Sequence, residues 1–229
     1  MTVWWESAPG SALWVRHMPR RTRGAVITLH AGPVVGHRPT RPWQLAALRM
    51  RPVLRSSASA VSLDEVLLGQ VRYRCRGWND GDAEQDALRA LSELGRLAGE
   101  VPVVLVGHAM GGRTALRVAA HPQVRGVVAL APWLSAEEPA AHLAGRSVVL
   151  VRGHDGQGTD AEVEAWRYVE RARAAGARAG VVVVRGGGPW MMRRAAAWHR
   201  IAVSAVSQVP QPLAPGPHGA WSGPGPVFV

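Results

Sequence analysis

The residues best suited to chemistry lie in one sharp turn near the middle of the chain. The segment VPVVLVGHAMGGRTALRVAA, residues 101–120, predicts a buried strand, a turn at GHAMG and a helix that starts immediately after it. Such a unit presents its central side chain, here Ala109, in a strained conformation. Gly107 and Gly111 remove side chains that would collide as strand and helix close on each other. A turn of this kind suits a nucleophile, but the methyl group of Ala109 cannot attack a carbonyl.

Around this turn the sequence resembles the α/β-hydrolase fold, in particular small bacterial hydrolases without a cap domain, whose turn reads GHSMGG. The resemblance covers about residues 20–206. Besides the turn, four further motifs carry it in the expected order: LHAG (Leu29–Gly32), the RxRGWN run (Arg74–Asn79), APWL (Ala131–Leu134) and MxRRAxxWH (Met191–His199). It implies an α/β protein with a doubly wound, mostly parallel sheet in three layers and no substantial cap.

The resemblance also implies that two of three catalytic positions are vacant. Ala109 stands where the family has its serine nucleophile, and Pro189 stands where it has its histidine. An engineered serine replacement would explain only the first change, so we interpret both as natural. The family's acid position corresponds to Asp155, either a relic or a base for other chemistry, while Asp160 caps the next helix.

The parts of an oxyanion hole are backbone groups and can survive such changes. We expect the N–H groups of Met110 and, near His30, of Ala31 to polarise a carbonyl oxygen. By family placement the substrate-binding set also includes aromatic and sulfur side chains suited to an aromatic or polycyclic ligand. The predicted substrate-binding residues are His30, Ala31, His108, Met110, Trp133, Trp190 and Met191.

Composition and the distribution of charge indicate which kinds of partner the protein can have. The 229 residues carry a net charge of +11, and all 27 basic side chains are arginine. Residues 1–60 hold nine arginines and one acid, and residues 181–229 hold four arginines and no acid. We interpret these basic ends as solvated faces or as a preference for an anionic ligand, rather than as a nucleic-acid surface. Cys75 is the only cysteine, which excludes an internal disulfide and a cysteine-based metal site.

No metal and no cofactor are expected. The chain shows neither a signal peptide nor an apolar run long enough to cross a membrane, so we expect a cytoplasmic protein that has no membrane partner. The sequence leaves the oligomeric state open.

Alternation of apolar runs and amphipathic stretches predicts the elements that hold these residues. Helices are expected around Arg38–Ala58, broken or delayed by Pro42 and Pro52, over Asp82–Ala98 and Asp160–Ala175, and from near Met191. A hairpin near Trp4 and Trp14 is a weaker expectation. The domain spans residues 1–206, and the Pro/Gly-rich tail 207–229 is expected to lie outside the sheet. The predicted strands are Ala25–His30, Gln70–Cys75, Val101–Val106, Val124–Leu130, Ser147–Val151 and Gly180–Val184.

Three hypotheses about function follow. The first is a repurposed enzyme that catalyses a non-hydrolytic step, such as cyclisation, addition or carbon-carbon bond formation, on an aromatic natural-product intermediate. The second is a non-catalytic binding protein that keeps the fold as a receptor surface. The third is a serine-independent hydrolase in which Asp155 or a nearby histidine activates water.

Overall fold

The computed structural model describes residues 10–154, 160–207 and 227–228. Within them, strands and helices alternate as the sequence predicts. The strands are β1 (Leu13–His17), β2 (Gly24–Leu29), β3 (Val66–Val71), β4 (Val103–His108), β5 (Val124–Leu130), β6 (Ser147–His154), β7 (Arg178–Arg185) and β8 (Val227–Phe228). The helices are α1 (Leu45–Ala58), α2 (Asp82–Ala98), α3 (Met110–Arg117), α4 (Asp160–Ala174) and α5 (Ala195–Ser207).

All the described strands join one sheet in the order β1-β3-β2-β4-β5-β6-β7-β8. Only β1 is antiparallel, pairing with β3, and every other neighbouring pair is parallel. Each residue of β4 is buried, because Val103 and Leu105 pack on one face of the sheet while Val104 and Val106 pack on the other. A strand covered on both faces explains the unbroken apolar run in the sequence.

Helices cover both faces of the sheet and form the outer two of three layers. Residues of α2, α3 and α4 share one hydrophobic core, which includes Leu91, Leu116 and Tyr168. Residues of α1 and α5 form the second core with Met50 and Trp198. This is the doubly wound α/β arrangement that the sequence predicts. Residues 131–146, between β5 and β6, contain only a short 3₁₀ turn at Ala141–Leu143, so no cap domain is inserted there.

The third strand lies four residues earlier than predicted. The sequence suggested Gln70–Cys75, but β3 is Val66–Val71. The reason lies in Asp86 of α2, whose carboxylate accepts hydrogen bonds from the backbone N–H of Arg74 at 2.8 Å and from its Nε at 2.6 Å. These bonds occupy the backbone just after Val71 and turn the chain away from the sheet.

Several other boundaries also differ from expectation. Helix α1 begins at Leu45, and Pro52 lies inside it without ending it. Helix α5 begins at Ala195, because Met191 and Arg194 both have a φ of 56° that a right-handed helix cannot contain. The expected helix start near Met191 is therefore wrong.

Both chain ends depart from the predicted arrangement. Trp14 belongs to β1, which pairs with the distant β3 rather than with a local hairpin partner, and Trp4 lies outside the described residues. Val227–Phe228 pairs with β7, so the expectation that the tail 207–229 lies outside the sheet is wrong for these two residues. Within the described part of the chain, no helix combines the length and hydropathy of a membrane span.

Candidate functional site

The turn between β4 and α3 has the strained geometry that its sequence predicts. Ala109 has φ 49° and ψ −112°, a conformation that a residue with a side chain rarely adopts. A Cβ at Gly107 would collide with the carbonyl oxygen of Gly111, and a Cβ at Gly111 would collide with the carbonyl oxygen of Leu29. The first turn of α3 therefore lies directly against the end of β2. Only glycine permits this contact at either position.

Close contact between α3 and the end of β2 places the two expected oxyanion donors together at the carboxyl ends of the parallel strands. The N–H of Met110 begins α3, and the N–H of Ala31 lies just after β2. Neither N–H donates to any acceptor among the hydrogen bonds of the described residues. Free N–H groups at a helix start carry a partial positive charge and can polarise a carbonyl oxygen.

His30 holds the loop that carries the second donor. Its Nδ1 donates to the carbonyl oxygen of Ala31 at 2.8 Å, and its ring packs edge-on against Tyr73, with ring centroids 4.7 Å apart. Burial lowers the pKa of His30, so the neutral ring is favoured. His30 is 4% exposed and was expected to contact substrate; the structure instead makes it a support for the loop.

The RGWN run, which the sequence analysis used only as a family marker, braces the same loop. The backbone N–H groups of Gly77 and Trp78 donate to the carbonyl oxygens of Gly36 and Pro33 at 2.9 and 3.0 Å. Asn79 Oδ1 accepts from the Gly36 N–H at 2.8 Å. These hydrogen bonds fix the loop that carries Ala31. Most of them are made by backbone groups, so the types of side chain in the sequence could not have revealed this role.

Met110 also fixes this loop from the helix side. Its side chain is 1% exposed, and its Sδ would lie 2.6 Å from a Cβ built on Gly32. The side chain thus fills the space above Gly32, and any contact with substrate would come from the backbone N–H of Met110.

Trp133 contacts the turn through its backbone. Its backbone N–H donates to the Ala109 carbonyl oxygen at 3.3 Å, and its side chain is 37% exposed. The guanidinium of Arg113 lies between two indoles, 4.4 Å from the ring of Trp78 and 5.0 Å from that of Trp133. Arg113 also pairs with the fully buried Glu138 at 2.7 Å. This arrangement fixes the aromatic face of Trp133 beside the turn.

The loop after β7 meets the turn through one hydrogen bond. His108 Nε2 donates to the carbonyl oxygen of Pro189 at 2.9 Å. His108 was expected to contact substrate; it has no exposed surface, and in this structure its ring holds the Pro189 loop. Burial, and secondarily the charge of Arg49, lower the pKa of His108 and favour the neutral ring.

Trp190 and Met191 follow Pro189 but differ in exposure. Trp190 is 63% exposed, which leaves its indole available to a ligand, whereas Met191 is 4% exposed and packs in the core with Trp198. Met191 was expected to line the site, but its buried side chain belongs to the core in this structure. Of the predicted binding set, Ala31, Trp133 and Trp190 have accessible surface.

Asp155, the expected acid, lies outside the described residues. The residue before it, His154, ends β6 and pairs through Nδ1 with the Glu162 carboxylate at 2.8 Å. Arg152 of the same strand is largely buried, and burial lowers its pKa to about 10. Among residues 10–154 and 160–207, no three His, Cys, Asp or Glu side chains cluster as metal ligands would.

Comparison with solved structures identifies this architecture. A dienelactone hydrolase from Anabaena variabilis is similar with a TM-score of 0.63 and 15% identity, over 82% of this chain and 87% of that one. A serine hydrolase homologue from Coxiella burnetii has a TM-score of 0.59 and 18% identity, over 84% of this chain and 89% of that one. No protein-family model and no curated protein matches the sequence. The chain therefore has the α/β-hydrolase fold, as its motifs predict.

Proposed function

We propose that the protein is a repurposed enzyme of this fold that binds an aromatic or polycyclic small molecule in the cytoplasm and catalyses a non-hydrolytic step on it. Cyclisation, addition or carbon-carbon bond formation on a natural-product intermediate would fit. The supporting observation is the strained Ala109, next to two N–H groups without acceptors among the described hydrogen bonds. Strain of this kind costs about 1–3 kcal/mol. Its retention without a nucleophile suggests that the backbone donors are still used.

Reactions of this class need orientation and charge stabilisation more than a covalent intermediate. Fixed donors that face a developing oxyanion lower its energy without having to reorganise during the reaction. The N–H groups of Met110 and Ala31 would supply this effect, and the indoles of Trp133 and Trp190 would orient a flat substrate above them. Pro189 cannot transfer a proton, so bond formation would rely on groups of the substrate or on water.

The test compares a deletion strain with strains complemented by three forms of the protein. Wild type and the control Ala196→Phe, altered on an exposed position of α5, should restore the product. Ala109→Phe places a large side chain over the free N–H groups and should leave an intermediate accumulated. Full restoration by Ala109→Phe would refute the turn at Ala109 as the reaction site. An unchanged metabolite profile in the deletion strain would favour a non-catalytic binding protein.

Purified protein and the accumulated intermediate then distinguish the reaction type. In water enriched in heavy oxygen, a non-hydrolytic step leaves the product mass unlabelled, whereas hydrolysis adds one labelled oxygen.

Serine-independent hydrolysis is the second candidate, and the His154–Glu162 pair favours it. A carboxylate at 2.8 Å orients the imidazole and supports it as a base for water. His154→Gln, and Asp155→Asn beside it, would then lower turnover by about 100-fold or more, the scale of general-base catalysis. His37→Gln, at an exposed loop position, serves as the control. Unchanged turnover in both site variants would exclude this mechanism.

Loss of the triad can be checked directly. Ala109→Ser alone should not react with a fluorophosphonate probe, because Pro189 offers no base to activate the new hydroxyl. Ala109→Ser combined with Pro189→His is the positive comparison. Rapid labelling of the single variant would show that another residue acts as the base.

A further inference from the structure

A cavity separate from the turn at Ala109 lies at the β1 side of the sheet. Its volume is about 460 Å³, within the range of small-molecule sites. It lies between β1, α1 and β3, and the strand order places β3 and β2 between β1 and the turn after β4. The lining residues are Arg16, His17, Arg51, Leu54, Arg55, Ala58, Leu63 and Leu68.

The local sequence explains why arginines face this cavity. In β1 the side chains of Leu13 and Val15 join the core beneath α2, so the alternation of the strand directs Arg16 to the face covered by α1. Arg51 and Arg55 are four residues apart in α1 and therefore lie on the same side of that helix. Two elements distant in sequence thus bring three guanidinium groups to one cavity.

These positive charges have no ion-pair partner among the described residues. No acidic residue lines the cavity, and none of Arg16, Arg51 and Arg55 forms an ion pair with any residue in the described ranges. Like charges four residues apart on a helix repel each other and destabilise it. A bound anion would remove this repulsion.

Arg16 is the most constrained of the three. Its guanidinium lies 3.3 Å from the ring centroid of Trp14, and its buried Nε has no hydrogen-bond acceptor in the described structure. The contact from Nη2 to Gln70 Oε1, at 3.5 Å, is long for a hydrogen bond. Burial and the nearby charge of Arg51 lower the pKa of Arg16 to about 10. A buried N–H without an acceptor is unfavourable, and an anionic ligand could supply the missing acceptor.

The rest of the lining is apolar. Leu54 and Leu68 form a buried floor, while Ala58 and Leu63 add aliphatic surface beside it. The His17 ring is held by a hydrogen bond from its Nε2 to the Leu63 carbonyl oxygen at 2.6 Å, so the wall is ordered without a ligand. A charged rim above an aliphatic floor matches a molecule that has an anionic head and an aliphatic tail.

We propose that this cavity binds a single-chain anionic amphiphile, with its carboxylate or phosphate head between Arg16 and Arg51 and its tail against Leu54 and Leu68. Arg55 is exposed at the entrance and attracts the head group. The site is separate from the turn at Ala109, and the proposal holds whether or not the function proposed for that turn is correct.

Calorimetric titration of the full chain with monomeric decanoate tests the proposal. Decanoate should bind, and Arg51→Gln should weaken binding about tenfold or more, the effect of one charge-assisted contact. The matched control Arg167→Gln removes the same charge from an exposed position on α4 and should bind like wild type. Decyl phosphate in a parallel titration shows which head group is preferred. The proposal would be overturned if the cationic decylamine bound as tightly as decanoate. It would also be overturned if Arg51→Gln and Arg167→Gln weakened decanoate binding equally.

Two further measurements separate ligand binding from a structural role. Ala58→Trp should abolish decanoate binding by filling the cavity, whereas Ala109→Phe should bind decanoate like wild type. Without ligand, Arg51→Gln should unfold at the same temperature as wild type or slightly higher, because it relieves the repulsion. A lower unfolding temperature for Arg51→Gln would indicate that the arginine stabilises the fold, and the proposal would then fail.

Discussion

The turn after β4 and the loop after β7 lie at the same edge of the sheet and share one hydrogen bond, yet packing constrains them very differently. In the turn, a Cβ at Gly107 or Gly111 would collide with backbone atoms. In the loop, tight packing is confined to its start, where a Cβ at Gly187 would lie 2.9 Å from the side chain of Val184. A Cβ at Gly188 would meet only Cδ of Arg193, at 3.9 Å, and Trp190 is largely exposed. The comparison shows which part of the site can change without loss of the fold.

The same difference separates the two positions at which the resemblance implies a vacant catalytic residue. The backbone donors lie beside the packed turn, where a side chain at Gly107 or Gly111 would clash. Pro189, at the expected histidine position, belongs to the exposed loop, and its carbonyl oxygen accepts from His108. Ala109 combines both situations, because packing fixes its backbone conformation while its side chain could change.

The largest expected effect contrasts glycines of the two regions. Gly111→Ala should lower the free energy of unfolding by about 3 kcal/mol or more, because the new methyl group overlaps the carbonyl oxygens of Leu29 and His30. Gly188→Ala should change it by about 0.5 kcal/mol or less. Urea unfolding of both variants measures the contrast. Similar losses in the two would show that the loop is packed as tightly as the turn.

A smaller effect is expected at the hydrogen bond that joins them. His108→Leu should cost about 1 kcal/mol at about pH 7.5, because it removes the donor to Pro189, whose exposed position lets water replace it. The pKa of His108 is lowered in the folded state, so the unfolded chain binds the proton more tightly. Wild-type stability is therefore complete above about pH 6.5 and falls as the pH drops toward the folded pKa.

His108→Leu lacks this loss, so the difference from wild type should narrow by about pH 5. Unfolding curves at both pH values check this, with His37→Leu as an exposed control. A difference that widens at low pH would mean that His108 is charged in the folded protein.

The last comparison tests the strain itself, and here the expected effect has the opposite sign. Ala109→Gly should raise the free energy of unfolding by about 1 kcal/mol, since relief of about 1–3 kcal/mol outweighs the added chain entropy of glycine. The unfolding temperature should rise by about 2–4 °C for a domain of this size. Ala196→Gly, in the helix α5, should instead lower stability by about 1 kcal/mol. A loss at both positions would show that Ala109 is not strained.

Sequence reasoning predicted the turn because its glycines and its strand-turn-helix pattern are local. The predicted bounds of β3 were wrong because the carboxylate of Asp86, in α2, accepts a hydrogen bond from the backbone N–H of Arg74. Sequence reasoning also expected His108 at the ligand surface, because spacing alone does not show which side of a turn a neighbouring side chain occupies. The arginine cavity could not be predicted, since Arg16 meets Arg51 only through the antiparallel pairing of β1 with β3.

The short strand β8 also changes what the outer side of β7 exposes. By pairing with Val182 and Val183, it occupies backbone N–H and C=O groups on that side. Without residues 208–229 the whole of β7, eight residues long and rich in valine, would be an open edge on which a strand from another molecule could add. Val227–Phe228 thus cover part of an edge that would otherwise be available to another chain.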